Sequence, residues 1–389
     1  MRFIGIVIFT LLCIILLFSI YFLWRRKRHV PSKITYFRMT NNVSQQKQTE
    51  SLPLYQAFQV IFQKQANVEK ATHISHAHLL FFETFNTIDF VMHQMREGRY
   101  WPKNVSYIYG IKGTDDLVSK SRFAFFILQG SRFSQDALSI IPKSYILSID
   151  SHEQEFCDDL KQEGTLFILK KNVQRQQGFR LISSLREYKD IQGAQDDKTI
   201  KYIVAQKVLM TPYLVNGHKI NIRVYLLVHV KPSSIDWWIY NDGFLYYAPH
   251  KFDENDINTH NLITSGYIDR KIYKENPMTI QSLGHAYPED TKHIMDNTRQ
   301  LFKKLYGIYA PYLQKENVGI PGQQFCLFGC DIAPCADLSV RIMEINKGPD
   351  LSFKDKEDGK LKLDMVHDML NIVGICDERS GKNGFLRIP

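Results

Sequence analysis

No two of the six cysteines form a Cys-x-x-Cys pair, and no histidine completes a zinc pattern around the close trio Cys326, Cys330 and Cys335. That excludes the usual structural zinc knuckle and leaves buried thiols in a reducing compartment as the expected state. No basic helix is interleaved with aromatics, so nucleic acid is not an expected partner. No compact Asp-x-Asp motif closes a strand; the short acidic run at residues 253–256 reads as loop. This counts against a lumenal glycosyltransferase, although the triplets Asn42-Val43-Ser44 and Asn104-Val105-Ser106 would permit a lumenal site. There is no internal repeat and no low-complexity tract.

What is present is a chain of 389 residues, 44% hydrophobic and 23% charged, which is ordinary globular usage and enough for two or three packed lobes. Residues 3–24 carry no charge and are followed by Arg25, Arg26, Lys27 and Arg28. That run is long enough to cross a bilayer, and the basic cluster would keep the following chain cytosolic. The expectation is a single transmembrane helix over residues 1–28. A tether over residues 29–52 and a main domain over residues 53–380 would follow, placing the protein at a membrane with its domain in the cytosol. A cleaved signal peptide is the rival reading, but no small-residue cleavage site follows. The formal charge of +9 is in part this juxtamembrane cluster.

Periodicity predicts helices around Leu54–Phe62, over 90–95, 119–129, 153–163, 294–305 and 363–372. Strands are expected over 78–82, 141–147, 165–170, 202–208, 222–230, 325–332 and 340–345. Asn216-Gly217 and Asn241-Asp242-Gly243 read as hairpin turns. Mixed elements with antiparallel hairpins late in the chain suggest an α+β class.

Three segments concentrate chemistry. Lys170 ends a strand before a polar loop containing Gly178, where a lysine can meet phosphate; a surface hairpin is the alternative. In the strand led by residues 219–223, Lys219, Asn221 and Arg223 share one face. Two cations and an amide there suit an anion, or form a solvated sheet face. Asp331 lies on one strand candidate, and Glu344 and Asn346 on the next. Together they offer oxygen ligands of the kind magnesium takes, unless they form a strand-end cap or salt bridge.

These segments, FILKKNVQRQQGFRLI, VAQKVLMTPYLVNGHKINIRVYLLV and LFGCDIAPCADLSVRIMEINKGPDL, resemble, in the same order, motifs of the tubulin–tyrosine ligase-like family. The likeness covers roughly residues 75–375. The resemblance implies an ATP-grasp fold with N-terminal, central and C-terminal lobes, and ATP-dependent ligation of a free amino acid to a carboxylate of a protein acceptor, tubulin or another acidic tail. It implies that Lys120 and Lys170 reach the phosphates of ATP. Gln206 and Lys207 would meet the adenine edge through side chain and backbone, and Val208 would follow them in the hinge. Lys219 and Arg223 would act on phosphate and carboxylate, and Asp331, Glu344 and Asn346 would hold Mg2+, with Glu344 also catalytic. Asn221 stands where the family has Asp, at a position linked to ribose or substrate amine. Thr264 alone survives of the family's His-Leu-Thr-Asn element, and Tyr246 falls where an arginine is expected. These departures keep open a second reading, a non-catalytic, membrane-tethered scaffold that binds nucleotide.

Overall fold

A computed structural model describes residues 33–39, 53–82, 102–132, 134–171, 179–194, 201–264, 269–377 and 381–388. Four short strands open the fold: β1 (Ile34–Met39), β2 (Val68–Lys70), β3 (Leu79–Phe82) and β4 (Tyr107–Tyr109). They pair in parallel, and β4 continues in parallel onto β13 (Gln323–Pro334). Between β1 and β2, helix α1 (Pro53–Phe62) buries Leu54, Phe58, Ile61 and Phe62. That is the i, i+4, i+7, i+8 stripe its sequence dictates.

The large sheet then turns antiparallel. Its order is β15-β11-β10-β13-β4-β3-β1-β2. Its centre is β10 (His218–Lys231), flanked by β11 (Ser234–Tyr240), β12 (Phe244–Tyr247) and β13; β14 (Val340–Lys347) pairs with β13, and β15 (Phe385–Ile388) covers β11. The turn before β10 is the expected one: Asn216 and Gly217 take φ of 50° and 83° and join β9 (Leu214–Val215) to β10. A second sheet holds β5 (Ser144–Ile146), β6 (Phe167–Lys171), β7 (Phe179–Ile182) and β8 (Tyr202–Lys207) in the order β5-β8-β6-β7. Its own core forms around Phe156, Phe167 and Tyr188. Five further helices matter below: α2 (Asp115–Val118), α3 (Lys120–Gly130), α4 (Asp150–Asp159), α5 (Leu185–Gly193) and α6 (Thr259–Leu262). After them come α7 (Ile280–Ala286), α8 (Pro288–Glu316) and α9 (Lys356–Val373).

Several expectations change. The architecture is mixed α/β rather than α+β, because the N-terminal strands are parallel and share one sheet with the antiparallel ones. It is consistent with the ATP-grasp expectation. The transmembrane helix is corrected: no helix among the described residues is long and apolar enough to cross a membrane, and residues 3–24, on which that expectation rested, lie outside the described residues. The single-pass membrane location had the same basis and is corrected with it. Residues 34–39, inside the stretch read as tether, form β1, because Ile34, Tyr36 and Arg38 alternate inward. The helix expected over 90–95 also lies outside the described residues.

The turn at residues 241–243 does not make a hairpin. Both β11 and β12 pair with β10, β11 along Leu226–Lys231 and β12 along Ile220–Arg223, so the chain steps along one edge instead of reversing. The Asp242 carboxylate holds the step by accepting from the N–H groups of Gly243 and Gln281 at 2.8 and 3.1 Å. A side chain at Gly243 would meet the Arg223 carbonyl at 2.1 Å, so only glycine fits there. Cys326, Cys330 and Cys335 are buried free thiols, as expected.

Candidate active site

Strand register builds the core of the site. Arg223 on β10 pairs with Asp331 on β13, and Asp331 pairs with Glu344 on β14. Residues paired across a sheet share a face, so these three side chains form one transverse row. Asn346 lies two residues along β14, opposite Gly329. Arg223 donates to both oxygens of Asp331, Nε at 2.6 Å and Nη2 at 3.2 Å. The guanidinium also lies over the Tyr246 ring, 5.1 Å from its centre. Burial opposes the Arg223 charge, but the Asp331 carboxylate overrides it and holds the proton more tightly than an ordinary arginine does. Gly329 makes room for this pair: a Cβ there would sit 3.1 Å from the guanidinium.

The second wall comes from the small sheet and α3. Lys120, at the first turn of α3, lies 3.4 Å from Glu344. Lys170 at the end of β6 donates to the Gln206 side chain on β8 at 2.7 Å, and Gln206 donates to Ser144 Oγ at 3.0 Å. Burial pushes the Lys170 ammonium down to about 8, with Lys120 adding to the fall and Glu344 opposing it. Lys219 is also pushed down to about 8, by burial and then by Lys170. Its Nζ donates to the Leu262 carbonyl at 2.6 Å, which ties β10 to the end of α6, two residues before the buried Thr264.

Lys120, Lys170, Gln206 and Glu344 thus line one pocket, together with Ser144 and Ile141. Its open volume is about 20 Å3, room for a single water molecule. In this arrangement the pocket is too small for a nucleotide.

Other expected residues are placed differently. The Lys207 side chain is exposed, and its N–H donates to the Lys143 carbonyl at 2.8 Å. The Val208 N–H donates to the Leu166 carbonyl at 2.9 Å. Both N–H groups are thus committed, and of Gln206, Lys207 and Val208 it is Gln206 whose side chain lines the pocket. Asn221 is buried on the same face as Lys219 and Arg223, and its Oδ1 has no hydrogen-bond partner among the described residues.

Sequence reasoning missed Ser144, which orients Gln206, and the pair Asp115–Lys347 at 2.9 Å, which fastens α2 to β14. The only signal for the latter was a lysine directly after Asn346.

Asp331, Glu344 and Asn346 put two carboxylates and an amide on one face, the donor chemistry magnesium takes. Each carboxylate also faces a cation, and among the described residues no three His, Cys, Asp or Glu side chains form a ready-made cage. The set therefore fits an ion that brings phosphate and water into its own shell, as magnesium does.

The model of the tubulin-tyrosine ligase family matches residues 116–381. The chain belongs to the tubulin-tyrosine ligase family. It is 29% identical over 196 residues to a probable tubulin polyglutamylase TTLL9 of Rattus norvegicus, covering 48% of this chain and 42% of that protein. It is 23% identical over 256 residues to the probable tubulin polyglutamylase ttll-9 of Caenorhabditis elegans, covering 61% and 58%. It is 23% identical over 282 residues to tubulin glycylase 3B of Drosophila melanogaster, covering 68% and 35%. The matched region spans less than two thirds of each relative's length.

Proposed function

We propose that the chain is an ATP-dependent carboxylate–amine ligase that joins a free amino acid to a carboxylate of a protein acceptor. The reading rests chiefly on Glu344, which ends the row Arg223–Asp331–Glu344 and lines one pocket with Lys120, Lys170 and Gln206. Lys120 and Lys170 would hold phosphate oxygens, and Gln206 the base. Arg223, fixed by Asp331 and Tyr246, would meet the carboxylate or the transferring phosphoryl group, with Lys219 beside it; Asn221 and Thr264 would complete the nucleotide side. Magnesium, held by Asp331, Glu344 and Asn346, would supply neutralisation of phosphate charge.

The acceptor carboxylate oxygen attacks the γ-phosphorus, the bond to ADP breaks, and an acylphosphate forms. The amino acid nitrogen then attacks the acyl carbon, phosphate leaves with the carboxylate oxygen, and the nitrogen loses its proton as the amide forms. Tubulin is the acceptor proposed first, because the relatives are named as tubulin-modifying enzymes and the +9 charge of this chain favours acidic tails.

A second reading, nucleotide binding without turnover, is favoured by Asn221 and Tyr246 standing where the family has charged residues. One experiment separates the two: incubate the chain with ATP, magnesium, tubulin and labelled amino acids, beside Glu344→Gln. Label entering protein only with the unaltered chain supports the ligase. Magnesium-dependent ATP binding with no label supports the second reading.

A further inference from the structure

Helix α3 borders two cavities. Its first turns, with Lys120 and Ala124, line the narrow nucleotide pocket; its last turn, with Phe126, Gln129 and Gly130, lines a cavity of about 540 Å3 against α8. That volume lies within the range of small-molecule sites, and the proposed ligase chemistry has no use for it.

The sequence of α8 explains the gap. The helices touch at Gly130, where a Cβ would stand 2.9 Å from Ile308. One residue earlier on α8, a Cβ at Gly307 would meet nothing within 4 Å. Pro311 has no N–H to give the Gly307 carbonyl one turn back, which weakens the helix at that point. The wall is apolar, formed by Phe126, Ala137, Ile308 and Pro311. The polar groups gather at the rim. Lys303 and Lys304 both line it. Lys304 reaches Ser139 Oγ at 3.2 Å but Asp136 only at 3.9 Å, and the Asp136 side chain is 77% exposed. Two ammonium groups against one loosely held carboxylate leave the rim net positive beside an apolar groove that is open to solvent, Gly307 and Pro311 themselves being exposed.

We propose that this cavity binds a small anionic amphiphile of the medium-chain carboxylate kind, its chain against Phe126, Ile308 and Pro311 and its head at Lys303 and Lys304. The apolar chain gains by leaving water, and the head keeps its charge at the solvated rim, where pairing with lysine costs little desolvation. The site does not depend on the ligase reading, since none of its residues belongs to the row on the large sheet.

The test is calorimetric titration of the full chain with decanoate and, as the uncharged probe, decanol, both below their aggregation concentrations. Decanoate is expected to bind saturably at one site. Gly307→Phe, which fills open space without a clash, should weaken it by about tenfold or more, while Gly307→Ala leaves it in place and shows that the helix tolerates a side chain. Lys303→Gln should weaken decanoate by about two- to fivefold and leave decanol unchanged. Saturable binding of neither probe, or decanoate binding indifferent to Gly307→Phe, would overturn the site. Decanol binding as tightly as decanoate would overturn the anionic head.

Discussion

On the large sheet, Arg223, Asp331 and Glu344 are brought into one row by the pairing of three neighbouring strands, the Arg223–Asp331 ion pair fastens it, and Gly329 leaves room for the guanidinium. On the other wall, Lys170, Gln206 and Ser144 come from three strands of a separate small sheet, and Lys120 from the start of a helix. Their alignment depends on side-chain contacts and on how that lobe sits against β14. The first wall is fixed by covalent order and register. The second is fixed by packing, and in the proposed ligase it would have to yield for a nucleotide to enter. A ligase needs both: rigid placement of the charges that act on phosphate, and a movable cover that admits ATP and excludes water.

Breaking the rigid wall should have the largest effect. Asp331→Ala strands a buried arginine charge and should cost about 3–5 kcal/mol in a denaturant melt, whereas the double replacement Asp331→Leu with Arg223→Met should recover most of it. Equal losses in the single and double variants would show that the pair does not hold the row. Loss of transferable label in Lys170→Met, by about a hundredfold, would show that the movable wall also acts on charge that develops in the reaction.

The two walls share a pH signature. Lys170 and Lys219 are both held down to about 8, so they are charged at pH 7 and largely neutral at pH 9. Anion binding selects the charged form, and ATP affinity should fall by up to about tenfold for each of the two lysines between those values. Stability without ligand runs the other way. A lysine whose folded value is depressed carries its penalty in full below about 8, and stability rises as pH climbs from there towards the ordinary lysine value. Titration of Lys170→Met should flatten part of the affinity slope; an unchanged slope would remove Lys170 from the nucleotide contact. The smallest effect is Gly329→Ala, whose Cβ would crowd the Arg223 guanidinium and Pro349 and should cost about 1–2 kcal/mol in a melt.

The same division explains what could be read in advance. A strand's period of two already put Lys219, Asn221 and Arg223 on one face and Glu344 with Asn346 on one face, and the register confirms both groupings. The pairing of Arg223 with Asp331 is a contact between residues 108 apart in the chain, and no local pattern carries it. The N–H groups of Lys207 and Val208 donate to Lys143 and Leu166, partners on other segments that no local pattern names. The step at residues 241–243 carries a strong hairpin signal, but the 14-residue length of β10 offers β11 and β12 successive edges, and tertiary pairing outweighs the turn preference. Strands β2 and β4, three residues each, are too short for periodicity to reveal.

The acyl-transfer chemistry is tested most directly by following oxygen. An acceptor carboxylate carrying a heavy-oxygen label would be incubated with the chain, ATP, magnesium and amino acid, and the released phosphate analysed by mass. Passage of label from carboxylate into phosphate, in step with amide formation, is the predicted result. Amide formed with unlabelled phosphate, or phosphate released with no amide, would contradict the account.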